Sequence, residues 1–308
     1  MTVDTLSRAD ASRLVPALEG AFAAHYYVPT DGYVDPPRQL AALAADAVAF
    51  GVDVRSDARV TDLHIEGSRV LGVHTTQGLV PAGAVLVAAG PWTASLAARA
   101  STLLAVQPIP LRQARTASCG VASDHPVVRF PEAGAYVRPE GGGYLFGAFL
   151  PSRAPLPDPW SPGAPSEQLT SDLGHSEGLR RHLARWMPPL GVPPIDHCRQ
   201  GWTTFTPDGL PLAGRDPVLS NLWFATGCGA MGIVWAPALG RWLAQSIAEH
   251  HPIPLLTALD TMRFADRVQD RLWVRGESVR RHDDYYGLAD AGSGADPEGP
   301  SAEHYSWK

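Results

Sequence analysis

Residues 222–232, Leu222-Trp223-Phe224-Ala225-Thr226-Gly227-Cys228-Gly229-Ala230-Met231-Gly232, pass from an apolar run into a turn with three glycines. A short apolar run that ends at glycine predicts a strand buried on both faces. Ala236 to Glu249 behind it predicts a helix. A strand that runs through a glycine-rich turn into a helix aims free backbone N–H groups and the positive helix end at one point. Glycine also lets backbone approach a flat or anionic ligand with no Cβ in the way. Taken by itself, the turn fits a ligand-binding loop and a tight structural turn alike, and it names no cofactor.

Working outward, Ala84-Val85-Leu86-Val87-Ala88-Ala89-Gly90 is a second buried-strand run, and Pro91 opens a helix to about Ala98. Asp31-Gly32-Tyr33-Val34-Asp35-Pro36 is a turn in which Asp35 is placed to cap a helix over Pro37 to Phe50. Gly51 stops that helix, and Val52 to Arg55 reads as a short strand. Arg59–Ile65, Val70–Thr75 and Gly78–Val80 are predicted strands separated by Glu66-Gly67-Ser68 and Gln77-Gly78 turns. Near the start, Ala9 to Leu18 reads as a short amphipathic helix.

From about Leu103 to Gln200 the texture changes. Strands at Leu111–Ala117, Ala135–Arg138 and Tyr144–Gly147 are separated by Pro- and Gly-rich loops, and a helix is predicted over Glu167–Trp186. This predicts a fold of mixed α/β (α+β) class. An incomplete Rossmann-like domain is built from residues 1–104 and 201–289, and a mainly antiparallel sheet domain from 105–200. Residues 290–308, rich in Gly, Ser and acid, are expected to be a disordered tail.

Hydrophobic residues make up 45% of the 308 and charged residues 18%, enough apolar content for a sizeable core. The net charge of −6 argues against nucleic acid or an anionic membrane as the main partner, because no basic surplus exists to neutralise phosphate. Cys119, Cys198 and Cys228 stand far apart without a CxxC pair, and the histidines show no metal-ligand spacing. No signal-peptide pattern and no membrane-length apolar run is visible, so a cytoplasmic protein is expected.

Four segments then carry a resemblance. Thr206-Pro207-Asp208-Gly209-Leu210-Pro211-Leu212-Ala213-Gly214, the 221–232 stretch and Ala236-Pro237-Ala238-Leu239-Gly240 resemble the C-terminal signature of FAD-dependent oxidoreductases of the D-amino-acid oxidase and sarcosine oxidase (DAO) family. The Asp31–Pro36 turn, Arg59-Val60-Thr61-Asp62-Leu63 and Ala88-Ala89-Gly90-Pro91-Trp92 resemble the family's cofactor-approaching segments in the same order. The resemblance implies bound FAD and oxidation of the C–N bond of a small amine or amino acid, sarcosine, dimethylglycine or a D-amino acid among them. It implies flavin contacts at Gly227, Gly229, Ala230, Met231, Gly232 and Ile233, adenine contact at Val60, and close approach at Ala89, Gly90 and Trp92. Asp208 would brace the neighbouring loop, and Tyr285-Tyr286 resembles the C-terminal stretch of sarcosine- and dimethylglycine-dehydrogenase-like members.

On the substrate side, Arg138 is the candidate carboxylate clamp, with Trp202, Thr203, Thr204 and Phe205 as pocket lining. Thr203 stands where some members have an arginine, and Gly201 excludes covalent flavin attachment at that position. The departure is at the front. Members begin with a strand, a GxGxxG turn and a helix holding the pyrophosphate, and these residues contain no such motif. Gly141-Gly142-Gly143 reads as a hairpin turn. A separate subunit carrying that unit, a truncated or misassigned start, and a remnant or partner-binding subunit without FAD all remain open.

Overall fold

The computed structural model describes residues 2–148, 158–160, 173–249 and 253–286. Most of the Pro151–Pro165 loop, the start of the helix expected over Glu167–Trp186 (167–172) and the proposed 290–308 tail lie outside these. The chain opens with strand β1 (Asp4–Leu6), helix α1 (Arg8–Leu14) and β2 (His25–Tyr27), and β1 and β2 pair antiparallel. Helix α2 (Pro36–Ala49) follows, with Asp35 accepting from the Arg38 N–H as the cap the sequence predicts. Val52–Arg55 is not a strand, and among the described residues no strand pairs with it.

Strands β3 (Val60–Glu66), β4 (Arg69–Thr75) and β5 (Gly78–Pro81) form an antiparallel three-stranded sheet. Strand β6 (Val85–Val87) leads through a 3-10 turn at Gly90–Trp92 into α3 (Thr93–Arg99). The second region is a five-stranded antiparallel sheet in the order β11-β7-β10-β9-β8, where β7 is Gln107–Thr116, β8 Val128–Phe130, β9 Ala135–Glu140, β10 Gly143–Ala148 and β11 Ile195–Phe205. Gly141 and Gly142, both at positive φ, make the β9–β10 hairpin. Strand β11 runs without a break across residue 200, so this sheet continues to Phe205.

Helix α4 (Leu173–Leu183) covers one face of that sheet. Ala114, Val137, Tyr144 and Phe146 pack there with Leu179, Leu183 and Met187, and Val15 and Ala17 from the N-terminal segment join the same core. The remaining strands, β12 (Leu212–Arg215) and β13 (Leu222–Thr226), complete a three-stranded sheet in the order β12-β13-β6. In it β13 is antiparallel to β12 and parallel to β6.

Strand β13 is buried on both faces, as its apolar run predicts. Leu222 and Phe224 face a core with Leu104, Val106 and Val274, while Trp223 faces α5 (Gly232–Glu249) through Leu239 and Leu243. Two further helices, α6 (Pro254–Thr257) and α7 (Arg271–Tyr286), close the described chain. No helix among the described residues is long and apolar enough to cross a membrane.

Candidate flavin site

The β13–α5 turn is held from below by one residue. The Thr204 carbonyl accepts from the Gly229 N–H at 2.8 Å and its hydroxyl accepts from the Gly227 N–H at 3.1 Å. Thr206, Phe205 and Leu212 lie under the two glycines. A Cβ on Gly227 would stand 2.5 Å from Thr206 Cγ2, and one on Gly229 would stand 3.3 Å from the Phe205 ring. Both glycines also hold a left-handed φ (+73° and +58°), so the sequence needs glycine here for conformation and for clearance.

On the outer side, the Ala230, Gly232 and Ile233 amides have no protein acceptor among the described residues, and they sit at the N-terminus of the 18-residue α5. Ile233, Val234 and Trp92 are exposed apolar side chains in the segments around these donors. Gly90 joins them, its carbonyl accepting from Thr226 Oγ1 at 3.1 Å. Unsatisfied N–H donors at a helix end, glycine backbone and bare apolar surface fit a flat ring with a polar, electron-accepting edge. The fit is one-sided. A groove of about 620 Å³, lined by residues such as Arg99, Thr102, Leu219 and Val268, takes no residue of the turn.

The Asp208 turn stands beside this cradle. Asp208 accepts from the Leu210 N–H and Thr206 Oγ1, both at 3.0 Å, and takes a two-pronged ion pair from Arg263 at 2.8 and 2.9 Å. Burial pulls the Asp208 carboxyl up, but the Arg263 and Leu210 hydrogen bonds outweigh it and hold it below the ordinary value. Sequence reasoning missed Arg263, which comes from a segment without regular periodicity, and gave Thr204 only a lining role. Cys228 is half-buried and burial pushes its thiol up, which suits a packing residue.

The sheet residues of the candidate site divide. Phe205 is buried under Gly229, and its ring meets His282 edge-on. The Thr203 hydroxyl donates to the Ile109 carbonyl, and Trp202 Nε1 is buried without a partner. Arg138 is paired with Glu140 at 2.6 Å under the Tyr33 ring, and Arg199 reaches the same carboxylate at 2.7 Å. In the neighbouring row Gln113 donates to Tyr136 Oη at 2.5 Å across Gly147, and burial pushes that phenol up. From α7, the Tyr285 hydroxyl donates to Met231 Sδ at 3.1 Å. Thus Gly90–Trp92, Trp202–Phe205 and Gly227–Ile233 meet. No hydrogen bond or ion pair joins Val60 or Arg138 to the turn among the described residues. Val60 opens β3, in a different sheet.

A parallel strand pair ending in an amide-lined turn, beside an antiparallel sheet with a polar face, is the architecture of a flavin-dependent oxidoreductase domain. Residues 2–246 match the DAO model, described as FAD dependent oxidoreductase, and the chain belongs to that family. It is 31% identical over 254 residues to the 4-methylaminobutanoate oxidase (formaldehyde-forming) of Paenarthrobacter nicotinovorans, a match covering 82% of this chain and 31% of that protein. It is 30% identical over 248 residues to the mouse mitochondrial dimethylglycine dehydrogenase, covering 77% of this chain and 28% of that protein. The crystal structure of glycine oxidase from Geobacillus kaustophilus superposes with a TM-score of 0.70 at 26% identity, over 85% of this chain and 67% of that one. The chain therefore spans under a third of the length of the first two relatives.

Proposed function

We propose that these residues form the ring-binding turn and substrate sheet of an FAD-dependent oxidoreductase that oxidises the C–N bond of a small amine or amino acid, an N-methylated glycine foremost. The observation that carries this reading is the set of open amides at Ala230, Gly232 and Ile233 at the start of α5. When bound, flavin supplies a hydride acceptor for the carbon next to nitrogen. The chain's own residues do the rest. The three amides and the α5 dipole favour negative charge at one edge of the site. Thr204 fixes the turn, Phe205 packs beneath Gly229, and Trp92 and Ile233 supply apolar surface that excludes water.

On the sheet, Arg138 and Arg199 share the single carboxylate of Glu140, which leaves one net positive charge to attract a substrate carboxylate. Tyr136, whose phenol is pushed further up by burial, stands neutral beside them. Trp202 and Thr203 border this surface, Val60 takes the adenine end, and Ala89 and Gly90 pass close to the cofactor. The pyrophosphate would be held by a strand–GxGxxG–helix unit beyond these residues, supplied as a further segment or subunit. Free Cys119, Cys198 and Cys228 suit a reducing cytoplasm.

The test is the flavin content of the purified chain and of Gly229→Val. A yellow parent that carries FAD and a folded but colourless variant are expected. A parent that takes up no FAD favours a non-catalytic, partner-binding subunit over the flavin reading, and a variant that keeps FAD counts against this turn as the ring-binding site.

A further inference from the structure

The histidines have no ligand spacing along the chain, yet the β3–β5 sheet brings two of them together. His64 on β3 stands directly opposite Gly72 on β4, and Asp62 stands opposite His74. Opposite residues of an antiparallel pair share a face, so Asp62, His64 and His74 project from the same side of the sheet. Gly72 puts no side chain beside His64, which leaves the His64 ring free to fold across the diagonal toward His74. There His64 Nδ1 lies 3.3 Å from His74 Nε2, with the ring planes at 81°. Gly72 cannot become a larger residue, because a Cβ on it would stand 2.2 Å from the Val80 carbonyl oxygen. The β3–β4 register also shifts on both sides of this group, between Val60 and Asp62 and between His64 and Ile65. Such bulges re-aim side chains.

The separation of the two nitrogens suits an ion between them. Two imidazole nitrogens bound at about 2.0–2.1 Å to one tetrahedral ion lie about 3.3 Å apart. As a hydrogen bond the same contact is long, since a nitrogen donor ordinarily stands about 2.7–3.2 Å from its acceptor. The other nitrogen of His64, Nε2, faces Glu66 Oε1 at 3.4 Å. A carboxylate behind a metal-binding imidazole holds the proton on the far nitrogen and leaves the near lone pair for the ion. The His64 side chain is 29% exposed and His74 is exposed, so an ion can enter from solvent. Asp62 stands on the same face, but Arg99 holds its carboxylate at 3.2 Å. Among the described residues no group of three or more His, Cys, Asp and Glu is arranged to hold an ion. The protein therefore supplies two nitrogens and water fills the other positions, as in an open site. Imidazole ligands favour zinc, nickel and copper, whereas Mg²⁺ and Ca²⁺ prefer oxygen.

We propose that His64 and His74, with Glu66 behind His64, bind one divalent transition-metal ion of the zinc type. The bound ion clips β3 to β4 between the two register shifts and stiffens the sheet that Val60 opens. The site is separate from the glycine-rich turn and does not depend on the flavin reading.

The test uses the full chain without an affinity tag, stripped with a chelator and titrated with Zn²⁺ in a calorimeter. One Zn²⁺ per chain is expected, undisturbed by excess Mg²⁺ or Ca²⁺. His64→Ala and His74→Ala should each abolish the saturable binding, and Glu66→Gln should weaken it by about tenfold. In chelator the three variants should melt with the parent, because these side chains lie at the surface. Added Zn²⁺ should raise the melting temperature of the parent and leave both alanine variants where they were. Lack of saturable binding in the parent, binding that persists unchanged in both alanine variants, or equal competition by Mg²⁺ would each overturn the proposal.

Discussion

Around β7–β11 the face turned toward α4 is sealed. Phe146, Leu183 and Leu190 are essentially inaccessible, and α4 with the Val15–Ala17 segment closes that core. Around β6 and α2 the same kinds of side chain, Leu40, Leu43, Leu86 and Phe50, stand in solvent. Both regions were made by one sequence with one apolar content, so composition does not separate them. What separates them is that the antiparallel sheet pairs its strands by two local hairpins, β8–β9 and β9–β10, and two longer-range pairings, β7–β10 and β7–β11, whereas a parallel pair needs a crossover connection. The first region is a closed core, and the second leaves its apolar side chains in solvent.

Truncation should expose the contrast most strongly. Phe146→Ala empties a fully buried site in the sealed sheet and is expected to lower the stability measured by urea unfolding by about 3–5 kcal/mol. Leu43→Ala, on the open helix, is expected to change it by less than about 0.5 kcal/mol. Comparable losses at the two positions would remove the distinction.

A smaller effect is expected where the two regions meet, at the Asp208–Arg263 pair beside the cradle. The folded Asp208 carboxyl lies below its unfolded value of about 3.9, so its contribution is complete above that pH and is lost as pH falls through the folded value. Asp208→Asn should therefore cost about 2 kcal/mol at neutral pH. The gap from the parent should narrow as pH is lowered from 5 to 3, a trend that paired urea titrations would read. A gap that stays constant would mean the ion pair is not the cause.

The smallest effect should be at the cap of the open helix. Asp35→Ala removes the acceptor for the Arg38 N–H and should speed amide exchange across α2, as expected for about 1 kcal/mol, without moving the global unfolding transition. A shift of the whole transition would show that α2 is packed after all.

Legibility in the sequence followed the same division. The β13 run, the glycine turn, the Asp35 cap and the β3–β5 meander were readable because each depends on local chemistry: continuous apolar residues, positive-φ glycines, a capping carboxylate. Val52–Arg55 read as a strand because its residues suit one, but a strand exists only when paired, and that information is not local. Helix α7 escaped notice for another reason. Its buried positions are Val274, Ser278, His282 and Tyr286, so the helical spacing is intact while two of the four side chains are polar. Of the candidate site, the glycines were visible. Thr204, which bonds Gly227 and Gly229, and Arg263, which holds Asp208, were not, because their roles are set by contacts over tens of residues.

The most direct measurement is residue-resolved amide exchange over 227–235 as FAD is titrated into the protein. Slowed exchange at Ala230, Gly232 and Ile233, with no comparable change in the α4-covered core, is the expected result. Unaltered exchange at those three amides, whether FAD binds elsewhere or does not bind, would contradict the assignment of this turn as the flavin cradle.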